Sequence, residues 1–319
     1  MRLGDPRHIP HCDRHLERCR LRRQKPQAAL GPNSKPKTQN PKPKTIFSMG
    51  NQSVLGIIAG NGVYPFLIAR AARQSGVTAI HVAAFENETR PEMADHADSI
   101  EWMRVGQLSR LMRFFEKAGV RQAIMAGQIA PKNLFDLRPD FRVLTILGSL
   151  KRRNAETLFG AVGDELAKIG VDLLPATTYL EDSLANEGLI AGPKPKKRFV
   201  DDIAFGFEIA KELSRLDIGQ TVVVRNGTVL AVEAFEGTNE AIKRGARLGK
   251  SGAIVVKVAK PNQDFRFDVP VIGCQTLEVA SAAGIKVIAV EAGRTLLLDK
   301  EAVKVLAEEK QVTIYGYKI

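Results

Sequence analysis

A chain of 319 residues that is 44% hydrophobic and 26% charged can bury one or two ordinary globular cores and shows none of the extremes of fibrous or disordered sequences. Its net charge of +12 is concentrated: residues 1–48 hold twelve Lys/Arg against three Asp/Glu, which leaves 35 basic and 32 acidic residues for the rest. That near-balance argues against a basic nucleic-acid-binding domain, and no apolar run approaches the ~18 residues of a membrane-spanning helix.

Residues 1–48 carry too few large apolar side chains to offset the entropy of ordering, which predicts a disordered basic tail. Met49 stands just before the first periodic segment and is a candidate alternative start. Attraction of the tail to anionic lipid is one reading of its charge, and a solvated run is the plainer one. His11, Cys12, His15 and Cys19 fit no closed zinc spacing. Beyond the tail only Cys274 occurs, so no disulfide can form there and the cytoplasm is the expected compartment.

From Val54 the pattern is strand, glycine turn, helix: an apolar run over 54–59, then Gly60-Asn61-Gly62, then a helix opened by Pro65 and running to Gln74. A buried strand over 78–85, a helix over 108–118, a strand over 123–126 with a second glycine turn at Gly127, a helix over 155–169 and a strand over 171–174 follow. Strands alternating with helices predict a Rossmann-like parallel sheet for residues 49–185. Residues 186–198, with two glycines, two prolines and little periodicity, read as a linker. The remainder, 199–319, predicts a mixed α/β domain: a helix over 202–213, a hairpin turning on Asn226-Gly227, strands over 253–258, 269–272, 285–290 and 312–315, and helices over 277–283 and 300–310. The expected fold class is therefore α/β, a Rossmann-like parallel N-terminal domain followed by a mixed α/β C-terminal domain.

Chemistry has two candidate locations. The Gly60-Asn61-Gly62 turn lies where backbone N–H groups and a helix N-terminus can hold a phosphate, although Pro65 replaces the third glycine of the dinucleotide fingerprint. Glu86, at a strand end, could bind a ribose as in an NAD enzyme, which keeps an oxidoreductase as a weaker reading. The densest polar stretch is Lys257-Val258-Ala259-Lys260-Pro261-Asn262-Gln263-Asp264-Phe265-Arg266-Phe267-Asp268, between two buried runs. Its cations can neutralise a pyrophosphate, and Asp264 and Asp268 offer hard oxygen ligands for Mg²⁺ or Mn²⁺. On an extended strand Asp264, Arg266 and Asp268 would share one face and the two phenylalanines the other. A solvent-facing loop rich in ion pairs fits the same pattern. No G-x-S-x-G, H-E-x-x-H, P-loop or CxxC motif occurs, and His81 sits in an apolar strand where packing is its expected role.

Four runs resemble the UDP-2,3-diacylglucosamine pyrophosphatase family of the LpxI type: residues 55–62 with Pro65 close behind, Leu216-Asp217-Ile218-Gly219-Gln220, residues 231–238, and residues 260–273. The resemblance implies water attack at the α-phosphorus of UDP-2,3-diacylglucosamine, giving UMP and 2,3-diacylglucosamine 1-phosphate in lipid A biosynthesis. It places the essential aspartate on Asp268, metal binding on Asp268 and Asp264 with Mg²⁺ (or Mn²⁺) as the ion, and substrate contacts on Gly60, Asn61, Gly62, Thr238, Lys257, Lys260, Gln263, Arg266 and Thr276. It further implies a cytoplasmic protein with peripheral contact to inner-membrane lipid, no nucleic-acid partner, and a homodimer as an open assembly. Where the family carries Lys-Gly-Asp-Asp before a helix, this chain has Arg153-Asn154-Ala155-Glu156, one acidic group fewer. A non-catalytic sensor that binds the same nucleotide-sugar lipid is the alternative.

Overall fold

In the first sheet, an apolar strand that must bury both faces is followed by a turn, a helical segment and a parallel neighbour twice over. The computed structural model describes residues 53–129, 139–150, 155–249 and 252–318; the basic tail with Met49, and Arg153 and Asn154, lie outside the described residues. Here β1 (Val54–Ala59), α1 (Tyr64–Gln74), β2 (Ala79–Phe85), β3 (Ser99–Met103), α2 (Leu108–Lys117), β4 (Gln122–Ala126), α3 (Phe141–Ser149), α4 (Ala155–Lys168) and β5 (Asp172–Leu173) follow in chain order. The strands form an all-parallel sheet in the order β3-β2-β1-β4-β5. Leu55, Ile57 and Ala59 of β1 join the core on one face and Ile58 joins the core on the other, as a parallel sheet covered on both sides requires.

The second sheet is mixed. It uses β6 (Gly188–Ala191), β7 (Thr221–Arg225), β8 (Thr228–Val232), β9 (Ile254–Lys257), β11 (Val287–Glu291) and β13 (Thr313–Tyr317) in the order β6-β13-β11-β9-β7-β8. Its β9–β11 and β11–β13 pairings are parallel and the other three are antiparallel. Helix α5 (Lys197–Arg215) packs with Val222, Val224, Ile254 and Val256 on one face. Helices α6 (Thr238–Gly249), α7 (Cys274–Ala282) and α8 (Lys300–Lys310) cover Val223, Val255 and Ile288 on the other. The Asn226-Gly227 turn joins β7 to β8 as expected, and the buried Asp202 carboxylate accepts both turn amides at 2.9 and 2.8 Å.

Residues 50–319 form one compact unit. Its halves share core residues: a two-stranded parallel ladder of β10 (Val271–Ile272) and β12 (Leu296–Leu297) buries Leu296 among Tyr64, Ile68 and Ala176 of the first half. The parallel and mixed α/β halves are as expected, but the reading of 186–198 as a linker needs correction. Residues 188–191 are strand β6, antiparallel to β13, and α5 already begins at Lys197. The strand is short and glycine-bounded because it is an edge partner of one neighbour, and such a strand has no periodic signature.

Glycines at 60 and 127 fix where the first sheet ends. A Cβ on Gly60 would stand 2.7 Å from the Gln128 carbonyl oxygen, and one on Gly127 would stand 2.7 Å from that of Asn61. Only glycine lets the turns after β1 and β4 approach this closely.

Candidate active site

The edge of the second sheet where β9 ends collects residues from distant parts of the chain. Because β7 runs antiparallel to β9, Thr221 lies opposite Lys257, so the segment entering β7 meets the segment leaving β9. The Val258 amide donates to the Gln220 carbonyl at 2.9 Å, and the Glu233 amide to the Thr221 carbonyl at 2.8 Å, which adds the end of β8 to the same edge. Gly219 allows this closure, since a Cβ there would collide with the Glu233 carbonyl. Between these segments and α4 opens a cleft of about 350 Å³ lined by Glu156, Phe159, Asp217, Glu233, Lys260 and Asp268 together with Ile218, Gln220 and Phe267.

Lys260 stands at its centre. Its ammonium donates a hydrogen bond to Asp217 and lies 3.7 Å from Glu156 Oε2 and 3.9 Å from Asp268 Oδ2. Partial burial works against the charged ammonium, but Asp217, Asp268 and Glu156 outweigh it and hold the Lys260 pKa above the usual lysine value. The backbone beneath is braced: the Gln263 side chain accepts from the Lys260 amide at 2.7 Å, Arg294 donates to the Lys260 carbonyl at 3.2 Å, and the Glu291 carboxylate takes the Ala259 amide at 2.8 Å and the Lys211 ammonium at 2.9 Å.

The loop carrying Asp268 is not the extended strand expected. The amides of Phe267 and Asp268 both bond to the Asp264 carbonyl, at 3.3 and 3.0 Å, so the chain turns there. The turn separates the charged residues. Asp264 and Arg266 form a forked pair, with Nε 3.0 Å from Oδ1 and Nη2 2.6 Å from Oδ2, and neither lines the cleft. The guanidinium holds the Asp264 carboxyl below the usual carboxylate range. The expected metal role of Asp264 and phosphate role of Arg266 therefore lose their geometric support, because each satisfies the other.

Other expected contacts divide in two groups. Thr238 and Lys257 adjoin the cleft through a relay in which the buried Lys257 ammonium donates to Thr238 Oγ1 at 2.8 Å and Thr238 donates to Glu233 Oε1 at 2.7 Å. Gln263 is buried and spends its side chain on the Lys260 amide. Thr276 sits half-buried on α7, outside the cleft lining. The Gly60 and Asn61 amides donate to the carbonyls of Ala126 and Gln128, at 2.8 and 2.7 Å, so these two are committed to joining β1 and β4 rather than to a phosphate. Asn61 instead borders a separate, wider cleft of about 810 Å³ with Glu86, Arg90 and Trp102, at the strand ends where open α/β sheets receive ligands. Sequence reasoning missed Asp217, Glu233 and Phe159; the Asp-Ile-Gly-Gln stretch after a helix was the available signal for the first.

An α/β protein of two large sheets, with a carboxylate-and-lysine cleft at the edge of the second, is the class that fold and site define. The chain belongs to the LpxI family. It matches the LpxI N-terminal domain over residues 54–183 and the LpxI C-terminal domain over residues 186–315. It is 31% identical over 273 residues, 82% of this chain and 96% of the relative, to the UDP-2,3-diacylglucosamine pyrophosphatase LpxI of Caulobacter vibrioides. Among solved structures, the biotin carboxylase domain of Hydrogenobacter thermophilus 2-oxoglutarate carboxylase aligns with a TM-score of 0.26 at 11% identity, covering 64% of this chain and 43% of that one. The biotin carboxylase subunit of pyruvate carboxylase gives 0.24 at 12%, covering 62% and 41%. The chain spans under half of each, and neither likeness carries an argument. Among the described residues no helix is long and apolar enough to cross a membrane.

Proposed function

We propose that this chain hydrolyses the pyrophosphate of UDP-2,3-diacylglucosamine by water attack at the α-phosphorus, releasing UMP and 2,3-diacylglucosamine 1-phosphate in lipid A biosynthesis. The observation that carries the reading is the Asp268–Lys260 arrangement in the cleft, within a chain that aligns with nearly the whole of the Caulobacter relative. Asp268 orients the attacking water. Lys260, whose charge the carboxylates maintain, neutralises the diphosphate and the charge that grows on the leaving phosphate. Lys257 supports the same task from behind Thr238.

Mg²⁺ fits the donor chemistry, since hard carboxylate oxygens with substrate phosphates completing the shell are its ordinary environment. Among the described residues no ready-made group of three acidic, His or Cys ligands is present, so Asp268 with Glu156 would hold the ion jointly with substrate. When bound, it would screen the diphosphate and lower the pKa of a coordinated water.

Phe159, Phe267 and Ile218 give the cleft an apolar wall, and the exposed Phe235 follows Ala234 at its rim. Acyl chains gain ~0.8 kcal/mol per CH₂ removed from water, so this wall is where they would rest. The same rim supports a cytoplasmic enzyme that touches the inner membrane peripherally to collect its substrate. The sensor alternative is not favoured. The deciding experiment incubates the purified protein with UDP-2,3-diacylglucosamine and Mg²⁺, with and without EDTA. Release of UMP only with the metal supports the whole reading, while tight binding of the lipid without any UMP would return the sensor.

A further inference from the structure

Asp217 occupies a position where its own backbone would be served better by glycine. It follows the end of α5 with φ of 57°, and the Ile218 amide bonds back to the Leu213 carbonyl at 3.3 Å, the closure that usually places glycine at the left-handed residue. Aspartate tolerates this conformation better than most residues but not as well as glycine. What the side chain does there accounts for its presence: it takes the hydrogen bond from Lys260.

Three carboxylates compete for one ammonium, and the distances rank them. Asp217 is hydrogen-bonded, whereas Glu156 at 3.7 Å and Asp268 at 3.9 Å are outside hydrogen-bond reach. We propose that Asp217 is a positioning residue that holds Lys260 away from Asp268, so that the Asp268 carboxylate is not captured by a lysine and the ammonium is aimed where the diphosphate arrives. The proposal rests on the hydrolase reading and adds to it a residue that acts through Lys260 without touching substrate. Without Asp217, the ammonium closes on Asp268, which removes the carboxylate from the chemistry while leaving the apolar wall and its substrate contacts in place.

The test is a double-mutant cycle on the full chain. Asp217→Asn is expected to keep the melting temperature, lower kcat for UMP release at least tenfold and leave KM within threefold. In a Lys260→Met background the same substitution is expected to change kcat by less than twofold, because the group it positions is gone. An equal tenfold loss in both backgrounds, or none in the native background, overturns the proposal. A second readout is independent of turnover: the ¹⁵Nζ NMR signal of Lys260, assigned by its loss in Lys260→Met, should shift in Asp217→Asn as the ammonium exchanges Asp217 for Asp268, and the shift should be absent when Asp268→Asn is added. An unshifted signal in Asp217→Asn, or the same shift with Asp268→Asn present, also overturns it. Failure of the native protein to release UMP would sink the hydrolase reading, while the NMR comparison would still decide whether Asp217 fixes the lysine.

Discussion

Phe267 packs on Phe159 with ring centroids 6.1 Å apart and planes inclined by 44°. The contact ties the loop that carries Asp268 to the helix that carries Glu156, and thereby brings carboxylates from the two halves of the chain to a single lysine.

Phe159→Ala should therefore act on both stability and turnover. Both rings are partly buried against the first half's core, so the loss is expected at about 2 kcal/mol, below the range of a fully buried phenylalanine. Turnover should fall several-fold as Glu156 and Asp268 lose their relative placement. Urea denaturation and UMP release on the same sample check the two effects. A change in one without the other would separate packing from site assembly.

Asp268→Asn removes a charge while keeping shape. Turnover should drop by at least ~100-fold, the range of losing one electrostatic stabiliser, with substrate affinity retained. The structural alternative, a surface carboxylate near Lys260, would cost about 1 kcal/mol or less and leave turnover intact. Kinetics and calorimetric binding on the variant, at unchanged melting temperature, tell them apart.

The Asp264–Arg266 fork gives a pH dependence of stability. The folded-state pKa of Asp264 lies below its unfolded value, so its contribution is fully present above the ordinary carboxylate pKa and is lost as pH falls through the depressed folded value. Asp264→Asn should thus destabilise the protein by about 1 kcal/mol at neutral pH. The difference from the native protein should shrink in the acid range below about pH 4. Denaturation midpoints across pH 2 to 7 provide the measurement. A difference that stays constant across the series would mean the fork contributes nothing through charge.

Ile218→Ser and Phe235→Ser, both at exposed positions, should leave folding nearly unchanged. They should raise KM several-fold for the diacylated substrate, and have no effect on inhibition by UMP. Equal weakening toward UMP would place these residues at the nucleotide instead of the acyl chains.

Long apolar runs were legible in the sequence because burial on both sheet faces leaves no room for polar residues: β1, β2, β4, β7 and β9 all follow them. Strand β3, with Ser99, Glu101 and Trp102 half-exposed at a sheet edge, carries too weak an alternation to be seen. Helix α6 hides for a related reason, since its buried residues are mostly Ala and Gly. At the site, residue types marked out the polar stretch 257–268, and the family resemblance singled out Asp268 within it. What a linear reading could not supply was the turn at 264–268, which gives Asp264 to Arg266, and the antiparallel entry of β7, which delivers Asp217 to Lys260.

Strand β13 lies inside the second sheet, between β11 and β6, and β6 has no other strand partner among the described residues. During synthesis β6 leaves the ribosome long before β13 exists, so its edge stays unpaired while the intervening helices and strands are made. Such late, non-local pairing is slow and exposes a sheet edge in the meantime. The glycines that bound β6 and its short length keep that waiting edge a poor template for other chains, which suits a segment that must remain uncommitted until the final strand arrives.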